Sequence, residues 1–325
     1  MSDLGKRVVS AAATAACTLA LGLGAAAAQV VGMGTGKQGF FTYSAGASIA
    51  KAASDNGLGM RIQPFGGTSA YVPAVNANEV EFGLANELET LYAVTGQVIY
   101  KGKAQPDVRV VSILTPLRSA LFVRKESDIK SLADLKGKRV PTDYSSQRVL
   151  DLLVQGTLAN AGLSYADISK VPVPNVGAGA DDFAAGKSDA FNFALGAGKV
   201  AETDAKVGGV RALPFDPSSE AFARVRKFVP VAYAELLQPG QFVGVRAPTY
   251  VMAYDYLVLT NSKMAEETVY KLTKILHTNK SALVAGFKAL GGFKPDRMVK
   301  EMSPVQYHPG AVRYYKEIGA WPPKK

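Results

Sequence analysis

The residues that could carry chemistry in this 325-residue chain are few: two histidines, His277 and His308, and one cysteine, Cys17. Structural zinc takes about four Cys or His ligands, and a reactive thiol needs a basic or cationic neighbour. Neither is expected here. No nucleophile–base pair and no paired-carboxylate motif stands out, so acid–base catalysis has little to draw on. The chain reads as a non-enzyme with no catalytic, metal-ligating or cofactor-holding set. What it carries instead is three turns, rich in glycine or hydroxyl side chains, ahead of expected helices: Gly34-Thr35-Gly36-Lys37-Gln38-Gly39, Gly66-Gly67-Thr68-Ser69 and Tyr144-Ser145-Ser146-Gln147. A helix N-terminus presents unpaired N–H groups and about half a positive charge, which favours an anion. Glycine lets a ligand approach the backbone, and Ser or Thr adds a hydroxyl donor. Taken singly, each turn is explained by ordinary N-capping. Three in one chain point to a cleft for a small carboxylate.

The first turn also spells a dinucleotide fingerprint, Gly34-x-Gly36-x-x-Gly39, with Asp55 downstream. The ribose-binding acid of that motif belongs at the end of the second strand, whereas Asp55 falls before it. A P-loop fails too, since Lys37 is followed by Gln38 and position 31 is Val. Among single residues, Arg118 and Arg148 are candidates for a bidentate carboxylate clamp, with a solvated or structurally paired arginine as the alternative. Lys37, Phe40, Phe41, Tyr43 and Tyr250 are further candidates. His308 reads as a packing or capping residue, and Asp181 and Asp182 as acids at a helix start.

The elements that must position these groups follow from hydrophobic pattern. Residues 1–28 read as a secretory signal peptide: Lys6 and Arg7, an Ala-rich apolar run from Val8 to Leu23, then Ala26-Ala27-Ala28 before Gln29. The formal net charge of +10 becomes +9 without Lys6, Arg7 and Asp3. The remaining Lys and Arg are dispersed, so no nucleic-acid-binding tail is expected. Short apolar runs alternate with amphipathic stretches, the mark of α/β architecture. Strands are expected over Gln29–Met33, Arg61–Phe65, Glu81–Ala85, Val108–Leu114, Leu121–Arg124, Lys138–Pro141, Val171–Val173, Asp189–Phe193, Val210–Leu213 and Val251–Thr260. Helices are expected over about Tyr43–Ser54, from the turn Gly66–Ser69 through about Asn78, over the short stretch Ile129–Leu135, after Ser145 and Ser146 with Arg148 in the first turn and a stop at Gly162, and over about Ala265–His277 and Ser281–Ala289. Length argues for about two domains, interwoven by crossings near residues 114–120 and 244–252. That places lobe I at 29–115 plus 248–325 and lobe II at 116–247.

Several longer stretches are specific in combination. They are G-T-G-x-x-G-F-F-x-Y (Gly34 to Tyr43), G-G-T-S (Gly66 to Ser69), N-A-N-E-V-E-F-G-L-A-N (Asn76 to Asn86), I-K-S-L-A-D-L-K-G-K-R-V (Ile129 to Val140), F-A-A-G-K-S-D-A-F (Phe183 to Phe191) and H-P-G-A-V-R-Y-Y-K-E-I-G (His308 to Gly319). Together, and in this order, the chain resembles the TAXI family of extracytoplasmic solute receptors, which serve TRAP (tripartite ATP-independent periplasmic) transporters. The resemblance implies a periplasmic-binding-protein-like fold of two α/β lobes closing over a small organic anion, a periplasmic monomer, and a membrane permease as partner. A ligand-presenting subunit for a histidine kinase and a secreted enzyme acting on an organic acid are the other readings. By family pattern, Thr35, Gly36, Gly39, Phe41 and Tyr43 would line the cleft with Gly67, Thr68 and Ser69, and Asn86 follows the third strand at the cleft-facing end. From the residues themselves, Arg118 at the first crossover and Tyr144, Ser145, Ser146, Gln147 and Phe193 of the other half are the candidates to face them. Family members usually carry a G-S-G-T-like turn where this chain has Tyr144-Ser145-Ser146-Gln147, and Phe191-Asn192-Phe193 makes the wall more aromatic. The expected ligand is therefore an organic acid with a flat or apolar body rather than glutamate.

Overall fold

A computed structural model describes residues 30–323; the expected leader, with Cys17, lies outside the described residues. From the N-terminal side, strands β1 (Val31–Thr35), β2 (Met60–Pro64) and β3 (Phe82–Asn86) alternate with helices α1 (Phe41–Asp55), α2 (Thr68–Asn76) and α3 (Glu87–Thr95). β4 (Val108–Arg124) follows, then β5 (Arg139–Thr142), α4 (Val149–Asn160), β6 (Ser169–Pro172), α5 (Val176–Ala184) and β7 (Phe191–Ala194). Next come α6 (Gly198–Lys206), β8 (Val210–Ala212), α7 (Ser219–Arg226), β9 (Tyr233–Leu237) and β10 (Thr249–Asn261). Helices α8 (Glu266–Thr278), α9 (Lys280–Gly286) and α10 (Pro309–Glu317) close the chain.

Eight strands form one mixed sheet. β1 pairs in parallel with β2 and β3, as helical crossovers require. β10 runs antiparallel between β3 and β4. β4 and β10 are the long members, paired from Met252 opposite Ser119 to Asn261 opposite Val108 with register shifts at Tyr256/Leu257 and Val258/Leu259. One end of this ribbon carries β3, β1 and β2; the other carries β7 and β8 on β4, and β9 on β10. β5 and β6 form a separate parallel pair. The ribbon is the spine shared by two α/β halves. Its residues are almost continuously buried, although Arg118 and Asp255 are among them.

The expected strands Val108–Leu114 and Leu121–Arg124 are one strand of 17 residues. Pro116 reads as a breaker because it cannot donate to a ladder, but at that position β4 is flanked by β10 alone. The helix expected after Ser145 and Ser146 begins only at Val149. Asp151 accepts the backbone N–H groups of Asp143 and Tyr144 (2.8 and 3.0 Å), and the Ser146 N–H goes to the Pro174 carbonyl (2.9 Å). Those bonds hold residues 143–146 as a turn. Asp181 and Asp182 lie in the second half of α5 rather than at its start; they pair with Lys199 and Lys187. Helices α3, α6, α7 and α10 and strand β9 were not anticipated. They are short or weakly apolar, and packing rather than propensity stabilises them.

Candidate ligand cleft

The two halves meet around a cavity of about 60 Å³. Four helices reach it with residues of their first turn: Phe41 and Thr42 of α1, Thr68 of α2, Val149 and Leu150 of α4, and Val176 of α5. Neither α1 nor α2 has a side-chain cap, so their orphan N–H groups are available to a ligand. From the spine, Leu117 and Ser119 of β4 and Tyr254 and Tyr256 of β10 form one wall, while Asn192 and Phe193 of β7 form another. No Asp, Glu, Lys, Arg or His lines the cavity.

Three carboxamides share one arrangement. Asn86 Oδ1 accepts the Glu89 N–H at 2.8 Å, capping α3; Asn192 Oδ1 accepts the Ser119 hydroxyl at 3.0 Å; Gln147 Oε1 accepts the Val176 N–H at 3.0 Å. Each oxygen is engaged, so the part left for a ligand is the NH₂ group, a donor. Among the described residues none of these nitrogens bonds to protein. The Tyr254 hydroxyl is buried without a partner, and burial pushes its pKa well above the ordinary tyrosine value. It stays protonated and can donate. Thr68, by contrast, gives its hydroxyl to Glu89 (2.9 Å), which also accepts from Tyr100 (2.7 Å). Burial holds the Glu89 pKa up, against those hydrogen bonds and the nearby Arg148 charge. Thr68 thus offers the cleft its backbone rather than its hydroxyl proton.

Of the expected site residues, Gly36, Phe41, Gly67, Thr68, Asn86, Gln147 and Phe193 are brought together around this cavity. Thr35 is buried at the end of β1 and bonds the Gly36 carbonyl. Tyr43 lies one residue past the lining, on a different face of α1. Gly39 and Ser69 make contacts between the halves instead: Lys199 N–H donates to the Gly39 carbonyl (3.0 Å), and Arg148 N–H to Ser69 Oγ (3.1 Å). Ser145 is exposed, and Ser146 presses its carbonyl towards Gly67. The Tyr144 hydroxyl is buried away from the cleft, near Asp151 and Tyr165.

Arg118, one of the two candidate carboxylate clamps, faces the other side of the spine. Side chains alternate along a strand, so Leu117 and Ser119 on the cleft put Arg118 on the back, where it pairs with Glu235 at 2.6 Å. Of the other candidates, Phe40 lines the cavity and meets Phe193 edge-on at 5.8 Å; Lys37 does not line it. The Arg148 guanidinium lies 5.8 Å from the Tyr100 ring centre. His308 caps α10, accepting the Gly310 N–H at Nδ1. The reading from sequence missed Tyr71, Ser119, Asn192, Tyr254 and Tyr256. A Tyr-x-Tyr spacing in a strand does put both rings on one face, but which face meets the cleft is set by pairing.

Among the described residues no cluster of three or more His, Cys, Asp or Glu is placed to hold a metal, and no helix is long and apolar enough to cross a membrane.

Comparison with known proteins agrees on the architecture. The model of the NMT1-like family matches residues 33–319. A putative thiamine biosynthesis protein from Haemophilus influenzae is 43% identical over 68 residues, which is 21% of this chain and only 21% of that relative's length. PhnD1 from Prochlorococcus marinus, solved in complex with methylphosphonate, superposes with a TM-score of 0.53 at 15% identity, covering 89% of this chain and 98% of that one. A protein from Bordetella bronchiseptica RB50 gives a TM-score of 0.54 at 14% identity, with the same 89% and 98% coverage. The fold is periplasmic-binding-protein-like.

Proposed function

The chain belongs to the NMT1-like family, and on that premise we propose that it is a periplasmic solute receptor for a compact organic acid, which it delivers to a membrane permease. The observation that carries this reading is the set of three carboxamides with engaged oxygens and spare NH₂ donors around an uncharged cavity at four helix starts. Such a site stabilises an oxyanion by oriented dipoles rather than by a counter-charge. The aromatic and aliphatic walls, Phe40, Phe41, Phe193, Leu150 and Leu153, suit a flat or apolar body. A volume of about 60 Å³ is room for only a few water-sized groups, so compact acids are favoured, and bulkier ones require the halves to part.

Closure is the working step. Lobe I is assigned to 29–115 with 248–325 and lobe II to 116–247, so the ligand touches both and favours the closed state. The permease is of the TRAP type by the resemblance of the whole chain to TAXI receptors, and the protein works as an exported monomer. PhnD1's methylphosphonate is a compact anion, consistent in kind with this ligand class.

A thermal-shift and calorimetric screen tests the proposal. Compact planar or apolar monocarboxylates, propionate and acrylate among them, should stabilise the protein by RT ln(1 + [L]/Kd), about 2.7 kcal/mol at a hundredfold excess over Kd. Affinity should fall as the ligand acid becomes protonated. Glutamate outcompeting every aromatic or apolar acid, or neutral sugars binding where no acid does, would overturn it.

A further inference from the structure

The back of the spine holds a second, larger recess of about 570 Å³, within the ~300–1,000 Å³ range of small-molecule sites. Strand alternation builds it. Pro116 and Arg118 of β4 and Asp255 of β10 face away from the cleft; Tyr233 and Glu235 of β9 form one wall, and the segment from Gly292 to Lys300 forms the other. That segment is docked on the opposite end of β4 from β9, through an Ile113 N–H bond to the Met298 carbonyl (2.8 Å).

Its floor carries charges that the fold leaves incompletely bonded. The Arg118 and Glu235 side chains are 12% and 26% exposed and pair through one nitrogen and one oxygen. Arg118 Nε, Glu235 Oε2 and Thr115 Oγ1 are buried and make no hydrogen bond. Buried polar groups are normally hydrogen-bonded, and three left unpaired around one recess call for a common partner. Gly292 keeps the floor open: a Cβ there would stand 3.1 Å from Thr115 Oγ1 and 3.4 Å from an Arg118 nitrogen. On the exposed rim, Lys294 and Arg297 have no ion-pair partner among the described residues. Lys300, further in, is already held by Asp255 (2.6 Å) and Glu87 (2.9 Å).

The orphan groups are of both kinds, a donor (Arg118 Nε), an acceptor (Glu235 Oε2) and a hydroxyl that can be either (Thr115), and the lining mixes cations with carboxylates. Beyond the one bond that Arg118 and Glu235 make to each other, a plain anion would leave Glu235 Oε2 without a donor, and a plain cation would leave Arg118 Nε and the basic rim without an acceptor. We propose that this recess binds a small zwitterion, an ammonium and a carboxylate on one short frame such as an α-amino acid. The carboxylate faces Arg118, Thr115 and the Lys294–Arg297 rim, and the ammonium faces Glu235. The site is separate from the acid-binding cleft and does not depend on it.

Calorimetry on the full chain with glycine, L-alanine and L-glutamine tests it, against the half-molecules acetate and methylamine. Saturable binding of at least one zwitterion is expected, with each half-molecule at least about tenfold weaker. Glu235→Gln should weaken the zwitterion about tenfold or more, as loss of a hydrogen bond to a charged group does. The exposed rim change Arg297→Gln, which carries no risk to the core, should weaken it by a few-fold. Asn86→Asp, in the cleft, should leave it unchanged. No saturable heat from any of the three up to about 10 mM, equal binding of the half-molecules, binding indifferent to both recess changes, or binding lost with Asn86→Asp, would each overturn the proposal.

Discussion

Asn86 shows how one side chain can serve fold and site with different atoms. Its oxygen caps α3 by accepting the Glu89 N–H, and its nitrogen is left to the cleft. Aspartate caps a helix as well as asparagine does, so Asn86→Asp should fold with a thermal midpoint close to that of the parent. It replaces a donor by a negative acceptor, and affinity for the acid should fall by about tenfold or more. Calorimetry with the best acid of the screen checks this, and unchanged affinity would remove Asn86 from the site. Asn86 was legible from sequence as the polar end of a strand. Asn192 and Tyr254 were not, because nothing local distinguishes an inward amide or phenol from an outward one.

At the scale of elements, α10 depends on a histidine cap. His308 Nδ1 accepts the Gly310 N–H at 3.1 Å, and Nε2 is buried without a partner. Burial lowers its pKa below the ordinary histidine value, outweighing the backbone carbonyls and Glu266 that favour the charged form. Protonation would also destroy the cap acceptor. The unfolded chain therefore takes up a proton that the fold resists. The contribution is complete above about pH 6.5 and is lost as pH falls from there through the depressed folded value. His308→Asn keeps a capping oxygen, so it should flatten the fall of the melting temperature as pH drops below about 6.5. A slope identical to the parent's would show that His308 stays neutral for no structural benefit. The same scale explains why α4 has no side-chain cap: its sequence carries a plausible one in Ser145-Ser146, but Asp151 and Pro174 claim that turn first.

Across the whole molecule, the halves are in contact at several points around the cleft. Gly67 is the tightest of them. Its φ of 168° is extended backbone that any residue adopts, yet an added Cβ would fall 2.3 Å from the Ser146 carbonyl oxygen and 2.2 Å from Gln147 Cγ. Gly67→Ala is thus compatible with an open molecule and not with this closed one. It should fold normally, bind the acid about tenfold more weakly or worse because the competent state is depopulated, and show no ligand-induced drop in radius of gyration by small-angle scattering. Compaction equal to that of the parent would show that closure does not pass through this contact.

The sequence by itself determined the α/β class, the poverty of catalytic residues, and the glycine turns that bring α1 and α2 to a cleft. These follow from composition, local periodicity and cap chemistry, which act over a few residues. Only the tertiary structure decided which face of each strand meets that cleft. A strand shows both of its faces in its sequence, and long-range pairing alone assigned Ser119 and Tyr254 to the cleft and Arg118 and Asp255 to the recess behind it. One candidate arginine clamp was therefore displaced by one residue of a strand, about 3.4 Å along the chain, and by the full thickness of the sheet.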